Sequence, residues 1–149
     1  MTKLGINKAI LALGGNTGDV TTTFEGVYRD FEELNISVAA KAPLFRSRSL
    51  LNDGQADYIN TVWIVYTDLD PFGLLNALQT VELKHGRIKN GHWQARPLDI
   101  DIIDYNNEII NSDQLKIPHS QMQHRSFVLI PLADVEPGYV SPASGLSVR

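Results

Sequence analysis

The residues best suited to chemistry are two aspartates, Asp99 and Asp101, in the segment RPLDIDIIDY at 96–105. In an extended strand, side chains i and i+2 point to the same face, with Cα atoms about 6.5–7 Å apart. Both carboxylates therefore share one face, and Ile100 lies on the other. Two anions this close repel unless a cation lies between them, and Mg²⁺ prefers hard oxygen ligands. The pattern favours a metal–phosphate site.

Cationic side chains surround this segment in the sequence. Arg96 directly precedes the aspartates, and others flank it: Arg87, Lys89, His119, His124 and Arg125. If they converge, they supply the positive charge that phosphoryl chemistry needs. Two alternatives stay open. Many strands are polar on one side, so the aspartates by themselves are equally compatible with a solvated face, and a lone His119 is more often structural than a phosphate donor.

Aromatic and amide side chains suggest a place for a flat ligand. Tyr58 and Asn60 share one face of a strand, where they could stack on and hydrogen-bond a heterocycle, although ordinary strand residues explain them equally well. Trp93 could cover a bound base, but the large apolar area of a loop tryptophan favours packing. Gln79 and Glu82 are interpreted as lying on the exposed side of a helix. Either could support a site from behind its ligand-binding residues, but the helix pattern alone favours the absence of a role.

The glycine-rich segment at 14–19 (GGNTGD) invites comparison with a phosphate-binding loop. It lacks the Gly-Lys-Ser/Thr ending of a Walker loop. A tight turn between a strand and a helix is the better interpretation.

Six elements must position these residues. Apolar periodicity predicts a strand at 8–14, a helix through Phe24 and Phe31, strands at 36–46 and 58–67, a helix from Asp70 to Gly86, and a strand at 98–105. Thr22 and Glu25 suggest a capping box for the first helix. Asn106 and Asn107 suggest a hairpin turn that pairs 108–110 back onto the last strand. Residues 119–135 show a loop and helical spacing limited by Pro131.

The order β-α-β-β-α-β predicts a ferredoxin-like α+β sandwich, with a mostly antiparallel sheet and the helices packed on one face. The other face of the sheet is then free to build a site.

Composition excludes several classes of protein. The 149 residues are 43% hydrophobic and 20% charged, which indicates one ordinary globular domain spanning residues 1–149. Cysteine is absent, which excludes disulfide frameworks, thiolate zinc sites and cysteine nucleophiles. The net charge of −4 argues weakly against nucleic acid or an anionic membrane as partner. No apolar run approaches the roughly 20 residues that span a bilayer. From these properties we expect a soluble, cytoplasmic protein.

Taken together, these motifs resemble the 6-hydroxymethyl-7,8-dihydropterin pyrophosphokinase family of the folate pathway. The resemblance covers nearly the whole chain, in family order: LGGN at 13–16, FRS at 45–47, DYIN at 57–60, ELKHGR at 82–87, RPLDIDI at 96–102, IPH at 117–119 and RSFVLIPL at 125–132. An ordered set of this kind is far more specific than any single motif.

The resemblance implies a ferredoxin-like fold and Mg²⁺-dependent transfer of pyrophosphate from ATP to the pterin hydroxymethyl group, with release of AMP. Asp99 and Asp101 match the ligands of two Mg²⁺ ions, and Arg87 and Arg96 match catalytic positions beside them. Positions that bind the pterin are matched by Ser47, Leu50, Tyr58, Asn60, Trp93 and Phe127, of which Tyr58 and Phe127 sandwich the ring. Positions that bind ATP are matched by Gln79, Glu82, Lys89, His119 and Arg125.

The chain also departs from the family pattern. Arg48-Ser49 replaces a proline-rich pair, and Gln94-Ala95 replaces Gly-Pro. Lys89 replaces an arginine, which loses the bidentate fork but keeps the charge. Ser120 replaces a tyrosine found in some members. None of these changes affects the two aspartates or the stacking pair.

Two other functions stay open at this point. A different Mg²⁺-dependent nucleotidyl- or phosphotransferase on the same fold would keep the aspartates without needing Tyr58 and Phe127. A non-catalytic ferredoxin-like module that binds a small ligand or RNA would show no ATP turnover. The RNA form expects a basic sheet face with exposed aromatics, which Asp99 and Asp101 argue against.

Overall fold

The structure, a computed structural model, describes residues 6–16, 19–47, 58–86, 98–118 and 126–142. Of Ser47, Ser126 and Phe127 it describes the backbone only. Within these ranges the chain forms seven strands and three helices. No helix in them is long and apolar enough to cross a membrane.

Five strands form one antiparallel sheet. In chain order they are β1 (Asn7–Gly15), β2 (Ile36–Lys41), β3 (Phe45–Ser47), β4 (Tyr58–Thr67) and β5 (Asp99–Tyr105). The spatial order is β2-β4-β1-β5, and β3 also pairs with β4. With β2 and β3 counted as one strand position, this is the strand order of the ferredoxin-like fold, which confirms the predicted fold class.

The predicted strand at 36–46 is divided in two. β2 ends at Lys41, and β3 begins at Phe45. Pro43 lies in the gap and has no N–H to give to a ladder, which explains the interruption. The gap is held to β4 on one side of the proline, because Ala42 donates to the carbonyl of Val62 at 2.8 Å.

Two helices, α1 (Val20–Glu33) and α2 (Pro71–Lys84), cover one face of the sheet. The larger core cluster joins Phe24, Val27 and Phe31 of α1 and Leu74, Leu78 and Val81 of α2 to Leu11, Val65 and Ile102 of the strands. These are the apolar periodic positions that predict the elements.

The start of α2 is confirmed and the start of α1 is corrected. Asp70 caps α2 by accepting a hydrogen bond from the Gly73 amide at 2.6 Å, and Pro71 occupies the first helical position. The predicted capping box of α1 is wrong. The cap is Asp19, whose carboxylate accepts from the backbone and hydroxyl of Thr22, and these hydrogen bonds lower the pKa of Asp19.

The third helix, α3 (Ser126–Val135), lies on the other face. Val128 and Leu132 pack against Ile10, Val62 and Ile103 in a second, smaller core cluster. The helices therefore occupy both faces, and the prediction of a free second face is wrong where α3 packs. Pro131 lies inside α3 rather than ending it, and the complete burial of Leu132 indicates that tertiary packing stabilises the helix beyond it.

The predicted hairpin after β5 is half right. Asn106 and Asn107 have φ of 52° and 57°, and the Glu108 amide donates to the carbonyl of Tyr105 at 2.9 Å, as in the turn that asparagine pairs favour. The following strand, β6 (Ile110–Asn111), pairs with β7 (Lys116–Ile117) instead of β5.

Candidate active site

The register of the sheet brings predicted pterin and metal residues into one line. Asn60 of β4 is the Cα partner of Gly14 of β1, and Gly14 is the partner of Asp99 of β5. Phe45 of β3 pairs with Asn60 on the other side. Partners in an antiparallel ladder project their side chains to the same face, so Asn60 and Asp99 are two strands apart with only a glycine between them.

The next line across the sheet carries the second aspartate. Val62, Ala12 and Asp101 are consecutive partners in β4, β1 and β5. Together with Tyr58, two residues before Asn60, these positions form what we call the site face. Ile100 and Ile102 are buried on the opposite face with α1 and α2, which confirms that the two aspartates share a face. Their roles stay predictions.

The site residues differ in burial. Asp99, Asp101 and Tyr58 are half-buried, which leaves part of each side chain accessible to a ligand. Asn60 is only 6% exposed, and its amide nitrogen donates to the carbonyl of Phe45 at 3.4 Å. The amide is thus held in place while the carboxylates beside it remain reachable.

Glu82 is not on the exposed side of α2, so that interpretation is wrong. It is 3% exposed, and its Oε2 accepts a hydrogen bond from the Ile100 amide at 2.8 Å. Ile100 lies between the two aspartates on β5, which is an edge strand. Glu82 therefore holds the part of β5 that carries both carboxylates. Its spacing of four residues from Leu78, on the apolar stripe, was the signal that could have revealed its burial. Gln79 is exposed.

The end of α2 is tied to α1 by a charged cluster that the sequence reading missed. The buried Asp30 of α1 accepts from Lys84 and from His85 Nε2, the latter at 2.7 Å. Burial alone would raise the pKa of Asp30, but the hydrogen bonds and charges of Lys84 and His85 outweigh it and lower that pKa. The cluster follows Glu82 by one turn and precedes the segment that begins at Arg87.

Two site residues are described by backbone alone. Ser47 is the Cα partner of Tyr58, and Phe127 lies in the first turn of α3. The other predicted site residues lie outside the described residues: Leu50, Arg87, Lys89, Trp93, Arg96, His119 and Arg125. The same holds for the departures at 48–49, 94–95 and Ser120.

The donor set on the site face fits a magnesium ion carried by a nucleotide. Among the described residues, no group of three or more histidine, aspartate or glutamate side chains could hold a metal. Asp99 and Asp101 supply carboxylate oxygens from one face of one strand. Mg²⁺ usually keeps several waters and is bound through one or two carboxylates plus substrate phosphates, which is what a pair of aspartates can provide.

A comparison with known families decides the relationship. Residues 10–137 match the model of the family described as 7,8-dihydro-6-hydroxymethylpterin-pyrophosphokinase (HPPK). The chain belongs to this family.

Curated relatives agree with the assignment. The chain is 38% identical to the 2-amino-4-hydroxy-6-hydroxymethyldihydropteridine pyrophosphokinase of Synechocystis, over 94% of this chain and 72% of that protein. It is 35% identical to the enzyme of the same name from Haemophilus influenzae, over 91% of this chain and 86% of that protein. Family membership thus makes the chain a pyrophosphokinase.

Solved structures agree on the fold. A crystal structure of Plasmodium falciparum HPPK-DHPS matches 99% of this chain with a TM-score of 0.78 at 15% identity. The chain spans 45% of the length of that protein. At this identity the likeness shows the HPPK fold and nothing about residue roles.

Proposed function

We propose that this HPPK chain transfers the β,γ-pyrophosphoryl group of ATP to the hydroxymethyl oxygen of 6-hydroxymethyl-7,8-dihydropterin, in folate biosynthesis. The observation that carries the proposal is the line Asn60–Gly14–Asp99 across the sheet. The Asn60 amide, which can hydrogen-bond a heterocycle, and the Asp99 carboxylate, which can bind a metal, lie on one face of the sheet, two strands apart. An acceptor bound at one group and phosphates bound at the other can then bring their reacting atoms together above β1, the strand that lies between them.

Asp99 and Asp101 form the metal end of the site. Their shared face and half-buried state suit them to hold two Mg²⁺ ions together with the phosphates of ATP. When bound, the metal would neutralise charge on the phosphates. Glu82 positions both aspartates indirectly, since it fixes the Ile100 amide between them.

Tyr58 and Asn60 form the pterin end. Tyr58 presents a half-buried ring on which a flat heterocycle can stack. The buried amide of Asn60 can hydrogen-bond the edge of that ring, because its own position is fixed by the carbonyl of Phe45. Ser47, Leu50, Trp93 and Phe127 are proposed to complete this end on the strength of the family resemblance.

The remaining roles are proposed from the resemblance alone. The residues assigned to ATP are Gln79, Lys89, His119 and Arg125, and the catalytic cations are Arg87 and Arg96. Glu82 is also assigned to ATP by the resemblance, and its buried hydrogen bond to the Ile100 amide supports an indirect role through the aspartates. In the reaction, the hydroxymethyl oxygen bonds to the β-phosphorus while the bond from that phosphorus to the α,β-bridging oxygen breaks. AMP leaves with that oxygen, and the hydroxyl proton passes to water. The cations are suited to stabilise the charge that develops on the phosphoryl oxygens.

We also propose that residues 1–149 form a single domain that acts as a cytoplasmic monomer without nucleic-acid or membrane partners. The net charge of −4 supports the absence of polyanionic partners. The match of residues 10–137 to one family model supports the single domain. Light scattering during size exclusion would test the monomer.

The test of the function is an assay with Mg²⁺, ATP and hydroxymethyldihydropterin, in which AMP and the pterin diphosphate are both quantified. We expect both products in equal amounts from the wild type and neither above background from Asp99→Ala. The matched control is Asp134→Ala, which removes an exposed carboxylate of α3 and should keep full activity. A wild type that forms neither product, or an active Asp99→Ala, would refute the proposal.

Titration with a fluorescent pterin separates this function from another phosphotransferase on the same fold. Tyr58→Ala should weaken pterin binding and leave binding of Mg²⁺-ATP unchanged. Tyr66→Ala is the control, because Tyr66 lies at the other end of the same strand and is also half-buried. Equal pterin binding by both variants would contradict the assignment of Tyr58.

A further inference from the structure

Gly14 is the one residue of β1 that lies directly between the pterin end and the metal end. Its Cα partners are Asn60 in β4 and Asp99 in β5. It belongs to the glycine-rich segment at 14–19, whose sequence predicts a tight turn. In the structure it is part of the strand, one residue before the strand ends at Gly15.

The need for glycine here is steric. Among the described glycines, the left-handed region is occupied by Gly86 alone, so the backbone at Gly14 could be adopted by any residue. A Cβ at this position, however, would lie 2.7 Å from Oδ1 of Asn60. Carbon and oxygen atoms do not approach this closely without a shift of one of them.

The Asn60 amide has little room to give way. Its side chain is 6% exposed, and its nitrogen is engaged with the carbonyl of Phe45 on the next strand. The Cβ of an alanine would meet a packed amide rather than the free end of a flexible chain. The displacement would therefore be imposed on the group assigned to the pterin.

We propose that Gly14 is a positioning residue of the pyrophosphoryl transfer. Because it has no Cβ, the Asn60 amide can keep its position, and no side chain occupies the space above β1 between Asn60 and Asp99. The inference rests on the proposed function. If a pterin lies against Tyr58 and Asn60, and nucleotide phosphates lie at Asp99 and Asp101, the reacting hydroxymethyl group must approach above the strand that separates them. That strand is β1, and at Gly14 it carries no side chain.

Two other glycines provide matched controls. A Cβ at Gly26 would lie 2.8 Å from Cε1 of His85, a clash of similar closeness on the α1–α2 side. A Cβ at Gly138 would meet nothing within 4 Å. Gly26→Ala thus measures the effect of a similar clash outside the site. Gly138→Ala measures the effect of replacing glycine by alanine without any clash.

The experiment measures KM for the pterin, KM for Mg²⁺-ATP, kcat and the unfolding temperature for all three variants. For Gly14→Ala we expect KM for the pterin to rise about tenfold, because one hydrogen bond to the pterin is weakened and its ring is displaced. KM for Mg²⁺-ATP should change less than about twofold. Both control variants should keep the wild-type ratio of the two KM values. A Gly14→Ala enzyme with an unchanged KM for the pterin, or with both KM values raised equally, would overturn the inference.

A second pair of variants keeps the inference testable if Gly14→Ala is too unstable to assay. Asn60→Ser shortens the side chain that the new Cβ would meet, so Gly14→Ala should destabilise the Asn60→Ser protein much less than it destabilises the wild type. Equal destabilisation in both backgrounds would show that the contact with Asn60 is not the cause. Failure of the wild type to turn over would refute the proposed function instead, so the two failures are distinguishable.

Discussion

The two ends of β5 carry aspartates in opposite situations. At its start, Asp99 and Asp101 are half-buried on the site face. At its other end, Asp104 is 4% exposed, and both of its oxygens accept hydrogen bonds at 2.8 Å, from the hydroxyl of Tyr139 and from the Asn107 amide. Burial and the hydrogen bond to Asp104 in turn raise the pKa of Tyr139.

A bulge explains why all three carboxylates lie on the same side of the sheet. Leu11 pairs with Ile102 while Ile10 pairs with Asp104, so β5 holds one extra residue at this point. Strict alternation would direct Asp104 towards α1 and α2. The bulge instead brings it to the side where α3 and Tyr139 pack.

The comparison teaches that residue type alone does not separate the carboxylates proposed to act in the reaction from a structural one. Each oxygen of Asp104 has a donor supplied by the fold, so the group works as a buried joint between β5 and the segment after α3. Asp99 and Asp101 differ from it in burial, because part of each side chain is exposed. The following predictions test this difference, beginning with the largest effect.

The largest effect should be the loss of turnover in Asp101→Asn. We expect kcat/KM to fall by about 100-fold or more, because removal of one charge-stabilising group at a reaction centre typically has that effect. The free energy of unfolding should change by less than about 0.5 kcal/mol, as at other accessible positions. Kinetics and urea unfolding on the same preparation check both. A large loss of stability with normal turnover would show that Asp101 has a structural role and not the proposed functional one.

Asp104→Ala should show the opposite behaviour. The change leaves the buried Tyr139 hydroxyl and the Asn107 amide without their acceptor, so we expect a loss of about 2–3 kcal/mol in the free energy of unfolding. Turnover per folded molecule should stay near the wild-type value. The urea midpoint and the active fraction would be measured together, and an unchanged midpoint would show that Asp104 is not a structural joint.

Tyr139→Phe is the milder test of the same joint. It removes one hydroxyl and leaves the packing of the ring, so we expect a loss of about 1–2 kcal/mol. Thermal unfolding of this variant, of Asp104→Ala and of the double variant forms a cycle. Additive losses would mean that the two side chains are not coupled.

The smallest effect concerns a structural carboxylate on α1, Asp30. Its pKa is lowered in the fold, so its stabilisation is present above the ordinary carboxyl pKa of about 4 and is lost as pH falls through the lower, folded value. Asp30→Asn should lack this part of the acid sensitivity. The difference should stay below about 1 kcal/mol, since Lys84 is exposed. The free energy of unfolding of both proteins would be measured across this pH range, and an identical pH dependence in the two would contradict the prediction.

Local patterns in the sequence were sufficient for most of the elements and for the common face of the two aspartates. The alternation of β4, the proline-led start of α2 and the i, i+2 spacing of Asp99 and Asp101 all depend on neighbours a few residues away. Local patterns do not predict a feature that depends on a contact between distant segments. Glu82 was interpreted as exposed, and its burial depends on the Ile100 amide 18 residues later.

The sequence by itself determined most of the strand and helix pattern, the ferredoxin-like order and the family of this pyrophosphokinase, because periodicity and motifs are properties of short segments. Only the tertiary structure decided that Gly14 separates Asn60 from Asp99, that a bulge turns Asp104 towards Tyr139, and that α3 covers part of the second face. These features depend on register and packing between segments far apart in the chain, where a shift of one residue would exchange the two faces of a strand.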